Sequence, residues 1–207
     1  MKISLFGATG RVGSRVVEYA LTEGHTLRAL VRDPAKVTPQ PHLEVMPGDV
    51  LDPAAVARTL AGADAVISTL GGEGLEKPGA TLSQGMRNIV AAMATAGVQR
   101  VLGVANSGIL DSAKGGLRLD QPYFVAMFRP VTLQHQQAWE AMEGSGLEWT
   151  MACFPDIVEG ERTGTYRALD ERLPEKGVKI SVEDVADFLL RELRARKHLQ
   201  HRVGVAY

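Results

Sequence analysis

Lys2-Ile-Ser-Leu-Phe-Gly7-Ala8-Thr9-Gly10-Arg11-Val12-Gly13 opens the chain and decides how the rest of it is read. An apolar run enters three glycines spaced three apart, and a helix-compatible stretch, Ser14 to Glu23, follows at once. Glycine is needed where the backbone turns with positive φ and where it must approach a ligand with no Cβ in the way. A glycine loop opening a helix gathers free N–H groups and the positive end of the helix dipole at one spot, which suits a pyrophosphate. In this pattern Gly7 makes the tight turn, Gly10 admits the pyrophosphate and Gly13 lets the helix pack closely on the strand. Three glycines alone carry little. The strand before, the helix after, and a second strand ending in charge about twenty residues further on give them meaning.

At 207 residues the chain has the length of one domain, taken here as residues 1–207. Its net charge of −1 gives no electrostatic reason to expect nucleic acid or an anionic membrane surface. No apolar run approaches the length of a membrane span. Cys153 is the single cysteine, so no intrachain disulfide forms and a reducing compartment is expected. The chain enters a strand with no charged leader or signal core, which points to the cytoplasm.

Strands and helices alternate from there. Thr26 to Val31 reads as a second strand, reached through Gly24 and ending at Arg32-Asp33-Pro34. His42 to Met46 reads as a short strand, and Asp52-Pro53 as a capped helix start with proline in the first helical position. Ala65 to Leu70 is a fourth strand, and Thr81 to Ala96 a long helix stopped by Gly97. Arg100 to Val104 is the fifth strand, with Asn106-Ser107-Gly108 at its carboxyl end. A helix from about Val131 to Glu143 precedes a sixth strand, Leu147 to Met151. Ser181-Val-Glu-Asp184 has capping-box spacing ahead of a helix from Val185 to Arg196, and Arg202 to Ala206 supplies a last strand. Near-continuous apolar strands alternating with helices predict an α/β fold, a Rossmann-type doubly wound parallel sheet covered on both faces.

Ligands of such sheets bind outside the carboxyl ends of the strands. The glycine loop, Arg32, Asp49-Val50, Leu70-Gly71, Asn106-Ser107 and Phe154-Pro155-Asp156 lie there. Arg32 is informative. A carboxylate at the end of the second strand would bind a ribose 2′-hydroxyl, whereas an arginine accommodates a 2′-phosphate. Its planar guanidinium holds phosphate through two hydrogen bonds. Arg11 would add a second positive charge. Cys153 reads as a buried, inert thiol, and the five histidines show no paired ligand spacing, so no metal is expected. Tyr123, Phe124, Met127 and Phe128 read equally as an apolar lid, as core or as dimer contacts.

Gly7-Ala-Thr-Gly10-x-x-Gly13, Leu30-Val-Arg32-Asp33-Pro34, Gly48-Asp49-Val50, Gly85-Met-Arg-Asn-Ile-Val90 and the Ser107 strand end together resemble the atypical short-chain dehydrogenase/reductases. Within that group the chain is most similar to the biliverdin-IXβ reductase/flavin reductase branch, related to the NmrA-like proteins. The resemblance spans nearly the whole chain. It implies NADPH (NADP+) held by residues matching Gly7, Thr9, Gly10, Arg11, Val12, Gly13, Arg32, Asp49, Val50, Leu70 and Gly71. It further implies that Phe154-Pro155 flanks the nicotinamide and that Ser107 is the pocket serine, catalytic and substrate-binding together. Tyr123, Phe124 and Asp156 complete the expected substrate side, in a pocket built from loops around 71–82, 107–130 and 153–180.

Two departures shape the expected chemistry. The Tyr-x-x-x-Lys pair of the typical enzymes is absent, since Met127 follows Tyr123 by four and Asp170 follows Tyr166 by four. A carbonyl reductase needs an acid for the developing alkoxide, whereas a flavin or bilin takes hydride at an electron-poor conjugated centre and its proton from solvent. Asp156 stands where the mammalian-type enzymes carry histidine, which argues against a propionate-bearing bilin. The expected activity is NADPH-dependent hydride transfer to a flavin or similar planar acceptor, with FMN or FAD as substrate rather than prosthetic group. The rival expectation is a non-catalytic, NADP(H)-sensing regulator of the NmrA type that binds a protein partner. A monomer or homodimer is expected.

Overall fold

The structure, a computed structural model, describes all 207 residues. Its first half follows the alternation: β1 (Lys2–Phe6), α1 (Arg11–Thr22), β2 (Thr26–Val31), β3 (Leu43–Pro47), α2 (Pro53–Leu60), β4 (Ala65–Ser68) and α3 (Thr81–Ala96). Then come β5 (Arg100–Asn106), α4 (Arg129–Glu143), β6 (Glu148–Phe154), β7 (Asp156–Val158), β8 (Arg167–Asp170), β9 (Lys179–Ser181), α5 (Val182–Ala195) and β10 (His201–Ala206).

The boundaries have local causes. Asp52 accepts the Ala54 N–H at 2.9 Å and Pro53 starts α2. Gly97 takes the left-handed conformation, φ 71°, that ends α3. Ser181 accepts the Asp184 N–H at 3.0 Å and caps α5. α1 begins at Arg11, earlier than the expected Ser14, so Gly13 lies inside its first turn.

Eight strands form the main sheet in the order β3-β2-β1-β4-β5-β6-β10-β8, while β7 and β9 pair separately. All neighbours are parallel except β8, which runs antiparallel to β10. The stretch 153–180, read from sequence as loop, thus holds three short strands, one of which departs from the expected parallel sheet. Both outer edges are brief. β8 has four residues, and β3 ends in Pro47, which has no N–H to offer.

The inner strands bury both faces, as a sheet covered on both sides requires, while the outer strands β3 and β8 have no buried residue. Ile3, Leu5, Leu27 and Ile67 pack with Val16 and Val17 of α1 and Leu189 and Leu190 of α5. Phe6, Leu30 and Val66 pack oppositely with Leu60 of α2, Ile89 and Met93 of α3 and Met142 of α4. Each such side chain contributes about 1.5–3 kcal/mol by leaving water. The register aligns Phe6 with Leu30 and Ser68, and Asn106 with Phe154. The chain therefore leaves the sheet along one carboxyl rim at Gly7, Arg32, Thr69, Ser107 and Pro155. The rim crosses the switch point between β1 and β4, where a doubly wound sheet opens a crevice. No helix is long and apolar enough to cross a membrane.

Candidate functional site

The loop after β1 is sterically fixed. Gly7 has φ 92°, and a Cβ there would stand 2.7 Å from the Thr69 carbonyl carbon. A Cβ on Gly13 would be driven into the Gly7 carbonyl oxygen. Gly10 donates its N–H to that same oxygen at 3.0 Å and caps α1 with no side-chain bond. The first-turn N–H groups of Arg11, Val12 and Gly13 consequently point out of the helix without acceptors, at the positive end of its dipole. Thr9 and Gly10 are exposed at this mouth. An anion fits where side-chain atoms have been kept out.

From this loop a cleft of about 240 Å³ runs across the rim past Leu30, Arg32, Asp49 and Val50 to Leu70 and Gly71. The Arg32 side chain is 70% exposed, and its nearest carboxylate, on Glu73, lies 3.9 Å away. That guanidinium is available. Asp33, the next residue, turns back to accept the Ala35 N–H at 3.1 Å. Asp49 accepts the Leu51 N–H at 2.9 Å, which shapes the turn beneath the cleft. Val50 is held from behind, its carbonyl accepting from Asn88 Nδ2 at 2.9 Å. Gly85 lets the Val50 side chain lie against α3, since a Cβ there would come within 2.9 Å of it.

At the other end of the rim the walls become aromatic. Asn106, Ser107, Arg118, Phe124, Phe128, Phe154 and Asp156 border a cavity of about 540 Å³. Asn106 is spent on structure. Its Oδ1 accepts the Gly108 N–H at 3.0 Å and its Nδ2 donates to Thr132 Oγ1 at 2.8 Å. The Ser107 hydroxyl takes no partner within the chain and borders the cavity. An adjoining cavity of about 390 Å³ joins the two regions, sharing Leu70 and Gly71 with the cleft and Phe154 and Pro155 with the aromatic cavity.

The structure brings the expected residues together with three differences. Arg11 borders both cavities, but its guanidinium is paired with Glu159 at 2.8 Å and donates to the Ile157 carbonyl at 3.2 Å. Tyr123 lies outside the lining, with its hydroxyl 3.2 Å from Ser112 Oγ. His135, absent from the residues singled out in the sequence, borders the joining cavity. Its Nδ1 lies 2.8 Å from the Asn106 backbone nitrogen, and burial pushes its pKa down to about 4. The signal was present. His135 falls on the stripe Val131, Ala138, Met142 by which α4 faces inward. Cys153 is fully buried, and that burial pushes its thiol pKa up, which keeps it protonated and unreactive.

A doubly wound sheet with a glycine-cradled helix N-terminus at its switch point defines a dinucleotide-binding domain. Residues 7–196 match the family described as NAD(P)H-binding, and the chain belongs to it. Among solved structures it is similar to a candidate exported protein of Burkholderia pseudomallei, with 33% identity, TM-score 0.86 and complete coverage of both chains. It is also similar to a candidate NADH-flavin reductase of Streptococcus pneumoniae. There the identity is 27% and the TM-score 0.84, over 100% of this chain and 99% of that one. The uncharacterized protein YwnB of Bacillus subtilis is 27% identical over 98% of this chain and 95% of its own.

Proposed function

We propose that the protein is an NADPH-dependent reductase that passes hydride to a flavin or a similar planar conjugated acceptor. One observation carries the reading: the nucleotide cleft opens through Leu70 and Gly71 into aromatic-walled space on which no tyrosine–lysine pair stands. Tyr166, the tyrosine with an acid four residues on, donates its hydroxyl to Asp187 at 2.8 Å, away from the cavity. A planar acceptor needs orientation and a dry surface more than a proton donor. The name of the pneumococcal relative, similar along its whole length, supports the same class of acceptor.

The bound nicotinamide would supply the hydride. The chain's own residues hold and shield. The first turn of α1 receives the pyrophosphate, Arg32 receives the 2′-phosphate, and Phe154-Pro155 backs the ring. Phe124 and Phe128 stack along the acceptor and exclude water, while Ser107 donates a hydrogen bond that fixes its pose. Steady-state NADPH oxidation with FMN, FAD and a quinone tests the reading. Turnover with at least one of them, and tighter binding of NADPH than of NADH, is the expected result. Tight NADP(H) binding with no turnover of any acceptor overturns it in favour of a nucleotide-sensing regulator.

A further inference from the structure

His135 stands in an arrangement that fixes where its proton is. The backbone nitrogen of Asn106, 2.8 Å from Nδ1, can only donate. Nδ1 must therefore present its lone pair, and the proton of the neutral ring sits on Nε2. Protonating Nδ1 would set two N–H groups against each other, so the site also opposes the imidazolium. Asn106 cannot turn away, because it is the last residue of β5 and its side chain is tied to Gly108 and Thr132. Nε2 has no hydrogen-bond partner in the chain. It is not among the buried polar atoms left without one, which are His25 Nε2, Arg100 Nε and Trp139 Nε1. Nε2 is thus an open donor, and the space His135 borders is the joining cavity beside Val104, Ala105 and Phe154. Arg11 is the one charged side chain on that cavity, and it is already paired with Glu159.

Resting on the reductase reading, we propose that His135 is a catalytic hydrogen-bond donor, presenting Nε2–H to the carbonyl oxygen or ring nitrogen of the acceptor that gains charge during hydride transfer. The acceptor gains two electrons and a hydrogen, the nicotinamide is left oxidised, and water supplies the balancing proton. His135 keeps its own proton throughout. A neutral imidazole suits this role, because it stabilises developing negative charge without competing for the proton. The acceptor class narrows accordingly to planar molecules with a hydrogen-bond acceptor conjugated to the hydride-accepting atom.

Two substitutions separate this role from mere support of Asn106. In His135→Asn the side-chain oxygen still accepts from Asn106, but the distal donor is lost. In His135→Gln the amide nitrogen reaches the place of Nε2. The proposal expects kcat with FMN to fall ten- to a hundredfold in His135→Asn and to be largely restored in His135→Gln. NADPH Kd should be unchanged in both. The reverse pattern, a normal Asn variant and an impaired Gln variant, overturns the proposal.

Imidazole ¹⁵N NMR of the unmodified protein provides a readout independent of turnover. It should report the Nε2–H tautomer from pH 5.5 to 8, with the signal shifting when FMN is added with NADP+, a pair that cannot react. An Nδ1–H tautomer, or an Nε2–H signal unmoved by saturating FMN, overturns the role of His135 and leaves the reductase reading standing. Absence of turnover with every acceptor in the unmodified protein overturns that reading and this proposal with it.

Discussion

The ends of the crevice proposed to take the nucleotide and the acceptor share a rim but are made of different material. At the first end backbone dominates, with the N–H groups of Arg11, Val12 and Gly13 and glycines at 7 and 13 where a Cβ would strike the Thr69 carbonyl carbon or the Gly7 carbonyl oxygen, and the exposed Arg32 guanidinium is the main side-chain contribution. At the second end the groups that matter are side chains, Ser107, Phe124, Phe128, His135 and Phe154, brought together from four separate segments. Backbone recognition leaves few sequences able to build the site. Side-chain recognition leaves many, and permits one residue to change the ligand without disturbing the fold.

That contrast breaks if the two ends respond alike to substitution. Gly13→Ala should have the largest effect, because the added methyl meets backbone that cannot yield. Overpacking of this kind costs about 3 kcal/mol, roughly 6–12 °C in Tm at this size, and should abolish measurable NADPH binding. An unchanged melting curve and titration would show the joint between β1 and α1 to be loose. Arg32→Ala comes next. Losing one charge-assisted contact to phosphate costs about 1.5–3 kcal/mol, so NADPH binding should weaken by one to two orders of magnitude while NADH binding stays constant. Isothermal titration with both cofactors checks it, and equal losses for the two would remove Arg32 from the 2′-phosphate.

Ser107→Ala should do less, lowering kcat about tenfold, near the value of one neutral hydrogen bond, with NADPH affinity kept. If NADPH binding fails instead, the serine belongs to the nucleotide end and the division has been drawn in the wrong place. The last test concerns acid and reads stability rather than binding. The folded pKa of His135 is depressed to about 4 from an ordinary 6.5. The unfolded chain therefore takes a proton that the folded one refuses across that interval, and this contribution to stability falls as pH drops from 6.5 towards 4. Thermal melts should follow that slope and be shallower in His135→Gln. Identical slopes would mean that the ring titrates freely in the folded protein.

The same division governs how far the sequence could be read. The strand Thr26–Val31 and the helix Thr81–Ala96 coincide with the sequence reading, because glycine and proline punctuate them, whereas α1 starts three residues before the expected Ser14. β7, β8 and β9 escaped it. They are three or four residues long, β7 and β8 carry no buried residue, and all three take their pairing from distant segments rather than from local pattern. At the site, Arg32 and Ser107 could be located because they directly follow strands. His135 could not be found by its type, since a single histidine has no motif. Only its place on the inward stripe of α4 distinguishes it. The pairing of Arg11 with Glu159 was equally hidden, as the two lie 148 residues apart in sequence.

The two brief outer strands have a consequence of another kind. A long flat border of unpaired N–H and C=O groups is a template on which further chains can add. Here β8 offers four residues, among them Arg167 and Asp170, and β3 closes with Pro47, which interrupts the row of donors. Both borders offer little to a further strand. A concentrated solution of the folded protein should therefore resist fibril formation even though its interior strands are almost wholly apolar.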